Sequence, residues 1–191
     1  MTEHLLIAGT VFLVLFAAVG AYDGLYLHLW RYRLYARDES RYEHKLHTAV
    51  AFLFVPVVWL LFYGNFGGWA LWAGVGFVGA SFVVEMMDVS EENDSRASLG
   101  GLSREEYVAH VLAVTTRVAA VALALAAKPA AAWSLAAPLV LEAEYPVSVT
   151  FVAEQVLVGN LAVGALHIWL MRDRYRSAAP APRPALACCE A

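Results

Sequence analysis

Two short segments of this chain repeat one pattern, Ser-Arg-x-Glu-x-x-x-His, over Ser40 to His47 and Ser103 to His110. An aspartate precedes each, Asp23 lying 17 residues before Ser40 and Asp88 lying 15 before Ser103. Imidazole and carboxylate together suit iron, zinc or manganese. No thiolate stands near to favour a softer metal, since the two cysteines, Cys188 and Cys189, are at the far end of the chain. On an α-helix Glu43 and His47 share a face, as do Glu106 and His110, each pair being four residues apart. His44 and His47 share a face at a spacing of three, and so do Glu85 and Asp88. The candidate metal ligands are therefore Asp23, Glu43, His44, His47, Glu85, Asp88, Glu106 and His110.

Part of the pattern has a plainer reading. A Ser followed three residues later by Glu is a capping box, so Glu43 and Glu106 are expected to satisfy first-turn amides of two helices. Capping does not reach His47 and His110, which lie roughly 10 Å further up the helix axis. Asp23, between Tyr22 and Gly24, has the alternative of accepting hydrogen bonds from tyrosine or backbone. His28 falls about 140° round an α-helix from Asp23. It and His167 are expected to support the ligands by hydrogen bonding or to sit at the membrane interface. The run Ser90-Glu91-Glu92-Asn93-Asp94 reads as a solvated loop. Arg117, in mid-span, needs a buried partner, and Glu154 is the expected one. Its other reading is an anion or quinone-headgroup site.

In ligand count the set is similar to ferritin-like di-metal bundles, which use a carboxylate from each of two helices and a Glu-x-x-His pair from each of two others. The chain departs from that motif by one residue, having Glu-x-x-x-His, and by placing Asp or Glu on the odd-numbered spans. The likeness is one of ligand counting over four helices.

Something must bring these residues together, and composition says what. Of 191 residues 61% are hydrophobic and 16% charged, against about 25% charged in soluble domains, and mean hydropathy is +0.59. The apolar residues gather into five stretches, near 5–30, 45–63, 67–88, 105–127 and 149–171, each long enough to cross about 30 Å of hydrocarbon. The expected fold is an all-α polytopic membrane protein of five transmembrane helices, occupying residues 1–176. Two helical hairpins of like orientation would form a parallel repeat, with a fifth helix added. The 129–148 connection suits a short interfacial helix, and 177–191 a disordered cytoplasmic tail.

Eleven of the 13 Lys and Arg residues fall on one side of this arrangement. Positive-inside bias makes that side cytoplasmic, with the N-terminus outside and the C-terminus inside. A bacterial inner membrane is the expected setting. Every candidate ligand then lies toward the cytoplasmic face. Net charge is −4 and no basic face alternates with aromatics, so nucleic acid is not an expected partner. No Lys lies deep in a span to carry retinal.

The expected activity is that of a membrane-embedded di-iron oxidoreductase, with two iron ions as cofactor. Its partners would be the lipid bilayer, a lipid-soluble small molecule and a redox partner. Three alternatives stand beside it. A b-type cytochrome would hold haem b between His47 and His110, a lipid hydrolase would use zinc, and a transporter or accessory subunit would do no chemistry.

Overall fold

The computed structural model describes residues 2–172. Arg174, Arg176, Arg183, the cysteine pair and the expected tail over 177–191 lie outside them. Among the described residues the chain is all-helical. Helix α1 (Thr2–Ala21) continues without a break as a π-helix over Tyr22–Arg31. Helix α2 (Arg41–Val58) likewise ends in a π-turn, Trp59–Tyr63. Helices α3 (Gly68–Ser95), α4 (Arg104–Ala126) and α5 (Val147–Leu170) follow. All five are long and apolar enough to cross a membrane.

The third helix departs from expectation. It runs seven residues past Asp88 to Ser95, so the acidic stretch is helical and not a loop. Glu92 and Ser95 are buried there, and their partners on other helices explain why so polar a sequence stays wound. The 129–148 connection also differs from the short helix expected. It makes one 3-10 turn, Ala130–Trp133, then an irregular strap that lies on the α2–α3 turn. Asn65 O accepts from Leu141 N at 2.9 Å, Asn65 Nδ2 donates to Ala143 O at 2.7 Å, and Phe66 pairs with Val140 as an isolated bridge. Lys128 Nζ donates to Asn65 Oδ1 and to Phe66 O. These bonds satisfy turn backbone that lipid could not.

Helix α1 packs chiefly on α4, and α2 on α3 and α5. The two main contacts are equivalent under the repeat, since exchanging the hairpins turns α1 on α4 into α3 on α2. Small residues set the approach. A Cβ at Gly9 would lie 3.0 Å from Ala120 O on α4, and one at Gly74 would lie 3.1 Å from the Leu61 side chain. Gly76 and Gly79 face open space. Gly68, with φ +54, starts α3 where a Cβ would meet Ala137 O at 2.5 Å. The dry core, including Leu13, Phe54, Val57, Leu61 and Ala120, fills the half of the bundle nearest the strap. The buried ionisable residues, Lys128 at the strap apart, lie toward the other half.

Candidate metal centre

The winding of α1 builds the first side of the site. In a π-helix the hydrogen bond runs from residue i+5 back to i, as Tyr32 N does to Leu27 O at 2.9 Å. Residues five apart therefore stand over one another, and Asp23 and His28 share a face where an α-helix would separate them. His28 Nε2 lies 3.5 Å from Asp23 Oδ1. His28 is 2% exposed, so neither it nor the equally buried His167 is an interfacial histidine.

The two repeats then supply matching contacts. Asp23 Oδ2 of α1 stands 3.2 Å from His110 Nε2 of α4. Asp88 Oδ2 of α3 stands 3.3 Å from His47 Nε2 of α2. Glu43 Oε1 is 3.5 Å from the same His47 nitrogen, and Glu92 Oε1 is 2.7 Å from His110 Nδ1. His28 sits between the two, its ring centroid 4.5 Å from that of His47 and 5.6 Å from that of His110. Two groups of potential donor atoms result, Asp23 with His28 and His110, and His28 with Glu43 and His47.

Near as they are, several of these atoms complete no hydrogen bond among the described residues. They are His47 Nε2, both ring nitrogens of His110, Asp23 Oδ1 and Asp88 Oδ1. Their separations match another geometry. Ligands about 2.1 Å from a shared metal lie roughly 3.0–3.4 Å apart along the edges of an octahedron or tetrahedron. A histidine that binds through one nitrogen commonly presents the other to a carboxylate, and Glu92 stands where His110 needs it.

Beneath the histidines lies Arg96, fully buried. It donates bidentately to Glu43, with Nη2 to Oε1 at 3.0 Å, and its Nε donates to Glu106 Oε1 at 2.8 Å. Its Nη2 also donates to His28 Nε2 at 3.2 Å, so a metal bond at that nitrogen has to replace this one. Burial works to lower the Arg96 pKa, but Glu43 and Glu106 hold it above its ordinary value. One guanidinium thus ties together the glutamates of both repeats.

The two glutamates nonetheless differ at their helix starts. At Ser103 the capping box forms, Glu106 N donating to Ser103 Oγ and Ser103 N to Glu106 Oε2, both at 3.2 Å. At Ser40 it does not. Glu43 is drawn inward to Arg96 and to the Ser95 hydroxyl, while Ser40 Oγ donates to Ser95 O at 2.8 Å. The expected second capping box is replaced by an interhelical tie.

Of the residues singled out in the sequence, the fold gathers Asp23, Glu43, His47, Asp88, Glu106 and His110. It adds His28, Glu92 and Arg96. Two others stand apart from this group. His44 stacks on His167 with centroids 4.6 Å apart and donates from Nε2 to His167 O. Glu85 pairs with Arg117. The expected partner of Arg117, Glu154, is exposed on α5, and the long arginine instead reaches Glu85 across the bundle. Glu92 was detectable in principle, lying four residues after Asp88 and seven after Glu85 on one helical stripe. Arg96 had no such signal, because its partners come from two other helices.

Five buried carboxylates, Asp23, Glu43, Asp88, Glu92 and Glu106, face one buried guanidinium. A fully ionised set leaves four negative charges, which protons on the carboxylates or histidines, or bound cations, must offset, because buried charge without a partner is costly. A cavity of about 510 Å³ opens beside the cluster, walled by all five helices. Helices α3 and α4 hardly touch along it. The pairs Arg117–Glu85 and His110–Glu92 span the space between them. No family model, curated protein or solved structure matches this chain.

Proposed function

We propose that this protein is a membrane-embedded metalloenzyme, a di-iron oxidoreductase acting on a lipid-soluble substrate at the cytoplasmic side. One observation carries the reading. Two matched Asp–His contacts, Asp23 Oδ2–His110 Nε2 and Asp88 Oδ2–His47 Nε2, lie at ligand-edge distances; their histidine nitrogens complete no hydrogen bond among the described residues, nor does the other oxygen, Oδ1, of each aspartate. Five buried carboxylates against one guanidinium support it, since two divalent ions would offset the excess of a fully ionised set. The adjoining apolar cavity supports a substrate drawn from the bilayer. Iron bound there would supply oxygen activation, with the carboxylates balancing charge. The chain's own part is to hold the donors, through Arg96, and to keep water from them. The edge of His28 against both His47 and His110 counts for ions over a planar haem.

The test is metal analysis and an optical spectrum of protein purified in mild detergent. The reading expects about two iron per chain, no Soret band, and loss of metal in His47→Ala and His110→Ala. Ser103→Ala should keep its metal and lose only about 0.5–2 kcal/mol of helix-start stability. Zinc in place of iron would move the activity to hydrolysis, where the metal lowers the pKa of a bound water. One haem per chain, or metal-free protein from an iron- and zinc-replete culture, would overturn the proposal.

A further inference from the structure

Among the described residues, Arg117 is the one guanidinium within the membrane-spanning half of the cavity wall, and half of its fork is in use. Its Nη2 donates to Glu85, while Nη1, buried, has no partner among those residues. The side chain is 5% exposed and borders two cavities. One is the 510 Å³ space leading to His110, about 10 Å along α4. The other, of about 190 Å³, lies between α2, α3 and α4 and is walled by apolar side chains such as Phe54, Phe82 and Val121. A buried donor without an acceptor bears a desolvation cost that an incoming acceptor removes.

We propose that Arg117 Nη1 binds a neutral carbonyl or hydroxyl oxygen of a lipid-soluble molecule that occupies these cavities. Neutrality follows from charge. Glu85 already offsets Arg117, so a fatty-acid carboxylate or a phosphate would bring in negative charge with no counterion at this arginine. The apolar wall of the smaller cavity, and the predominantly aliphatic wall that the larger one adds around its few polar side chains, favour hydrocarbon for the rest of the molecule. A quinone ring and a long-chain alcohol or aldehyde share this chemistry. The inference deepens the oxidoreductase reading and rests on it for any chemistry beyond binding, but the contact itself needs no metal.

The experiment titrates nanodisc-embedded protein, metal-loaded and chelator-stripped, with a decyl-substituted benzoquinone, 1-dodecanol and dodecanoate at pH 8. Saturable binding of the benzoquinone, of dodecanol or of both is expected, and which of them binds tells carbonyl from hydroxyl recognition. Dodecanoate should bind at least about tenfold more weakly, and stripping the metal should leave binding in place. The paired variant Glu85→Gln with Arg117→Gln keeps the local charge at zero and should weaken the neutral probe about ten- to a hundredfold with metal content unchanged. Arg117→Lys keeps the pair with Glu85 but not the fork, and should weaken it too. Protein that purifies without metal from an iron- and zinc-replete culture and still binds the probe would sink the metalloenzyme reading and leave this one standing. Dodecanoate binding as tightly as the neutral probes, unchanged affinity in both variants, or no saturable binding of any probe would overturn it.

Discussion

Replacing Arg96 by methionine removes the cation but keeps most of the apolar volume of its stem. In the structure Arg96 is fully buried and holds Glu43 through two bonds and Glu106 through one. Taking one partner from a buried ion pair costs about 3–5 kcal/mol, because a charge is left without compensation. Two carboxylates lose their cation here. Glu106 keeps its capping bonds and Glu43 keeps the Ser95 hydroxyl, so the whole loss should stay in that range. For a chain of this size each kcal/mol moves the midpoint about 2–4 °C, which puts the expected fall near roughly 10 °C. The assay is thermal unfolding of chelator-treated protein in mild detergent, followed by tryptophan fluorescence. The triple change Arg96→Met, Glu43→Gln and Glu106→Gln removes the stranded charges and should return stability to within about 2 kcal/mol of the original. A single variant as stable as the parent, or a triple variant no better than the single, would refute the claim that this guanidinium neutralises both glutamates.

Topology gives a second prediction. A reporter fused after Arg176 should be cytoplasmic and one at the N-terminus should not, because most basic residues lie at that end of the bundle; the opposite result would place the cluster on the outer face. The strap gives a third. Burial lowers the Lys128 pKa to about 8 from 10.5, so the closed strap binds fewer protons than the open one between those values. Closure should strengthen as pH rises from about 8 toward 10.5, by up to tenfold per unit, and level off above. Hydrogen exchange at residues 64–68 and 139–141, corrected for intrinsic rate, measures this, and protection that stayed flat or fell with pH would count against it.

Hydropathy made five spans legible because lipid demands about 20 apolar residues per crossing whatever the tertiary contacts are. The gathering of histidines and carboxylates was legible for a related reason, since ionisable groups at membrane depth have few other places to go, although His110 meets Asp23 and Glu92 and not Glu106, four residues before it. Helix ends were harder to read. The stretch 90–94 is polar enough for a loop, yet it is helical because Glu92 finds His110 and Ser95 finds Glu43. Those partners come from other helices, and no local pattern announces them. Glu43 and Glu106 sit in the same local grammar and both meet Arg96, yet Glu106 keeps its capping box while Glu43 turns inward to Arg96 and Ser95. Arg117 shows the same limit, for depth alone could not choose between Glu85 and Glu154. The facing of His28 escaped for a different reason, because an angle of 100° per residue was assumed where the backbone is more widely wound.

That wider winding also balances a count. Each π-turn closes close to one residue later than an α-turn, so the ten residues Tyr22–Arg31 absorb roughly two residues in about two turns. Two is the surplus of the first repeat, with 17 residues from Asp23 to Ser40 against 15 from Asp88 to Ser103. One of the two lies within the span, eight residues from Asp23 to Arg31 against seven from Asp88 to Ser95, where the wider winding stores it as girth; the other lies in the connection that follows. The winding also selects the side chain that comes into register one turn after each aspartate. The first copy places His28 beside His47, while the second, α-wound, places Glu92 beside His110. One half of a doubled scaffold therefore carries an imidazole where the other carries a carboxylate. Each matched histidine still meets two carboxylates, Asp88 and Glu43 at His47 and Asp23 and Glu92 at His110, but of these four it is Glu43 that is paired with Arg96.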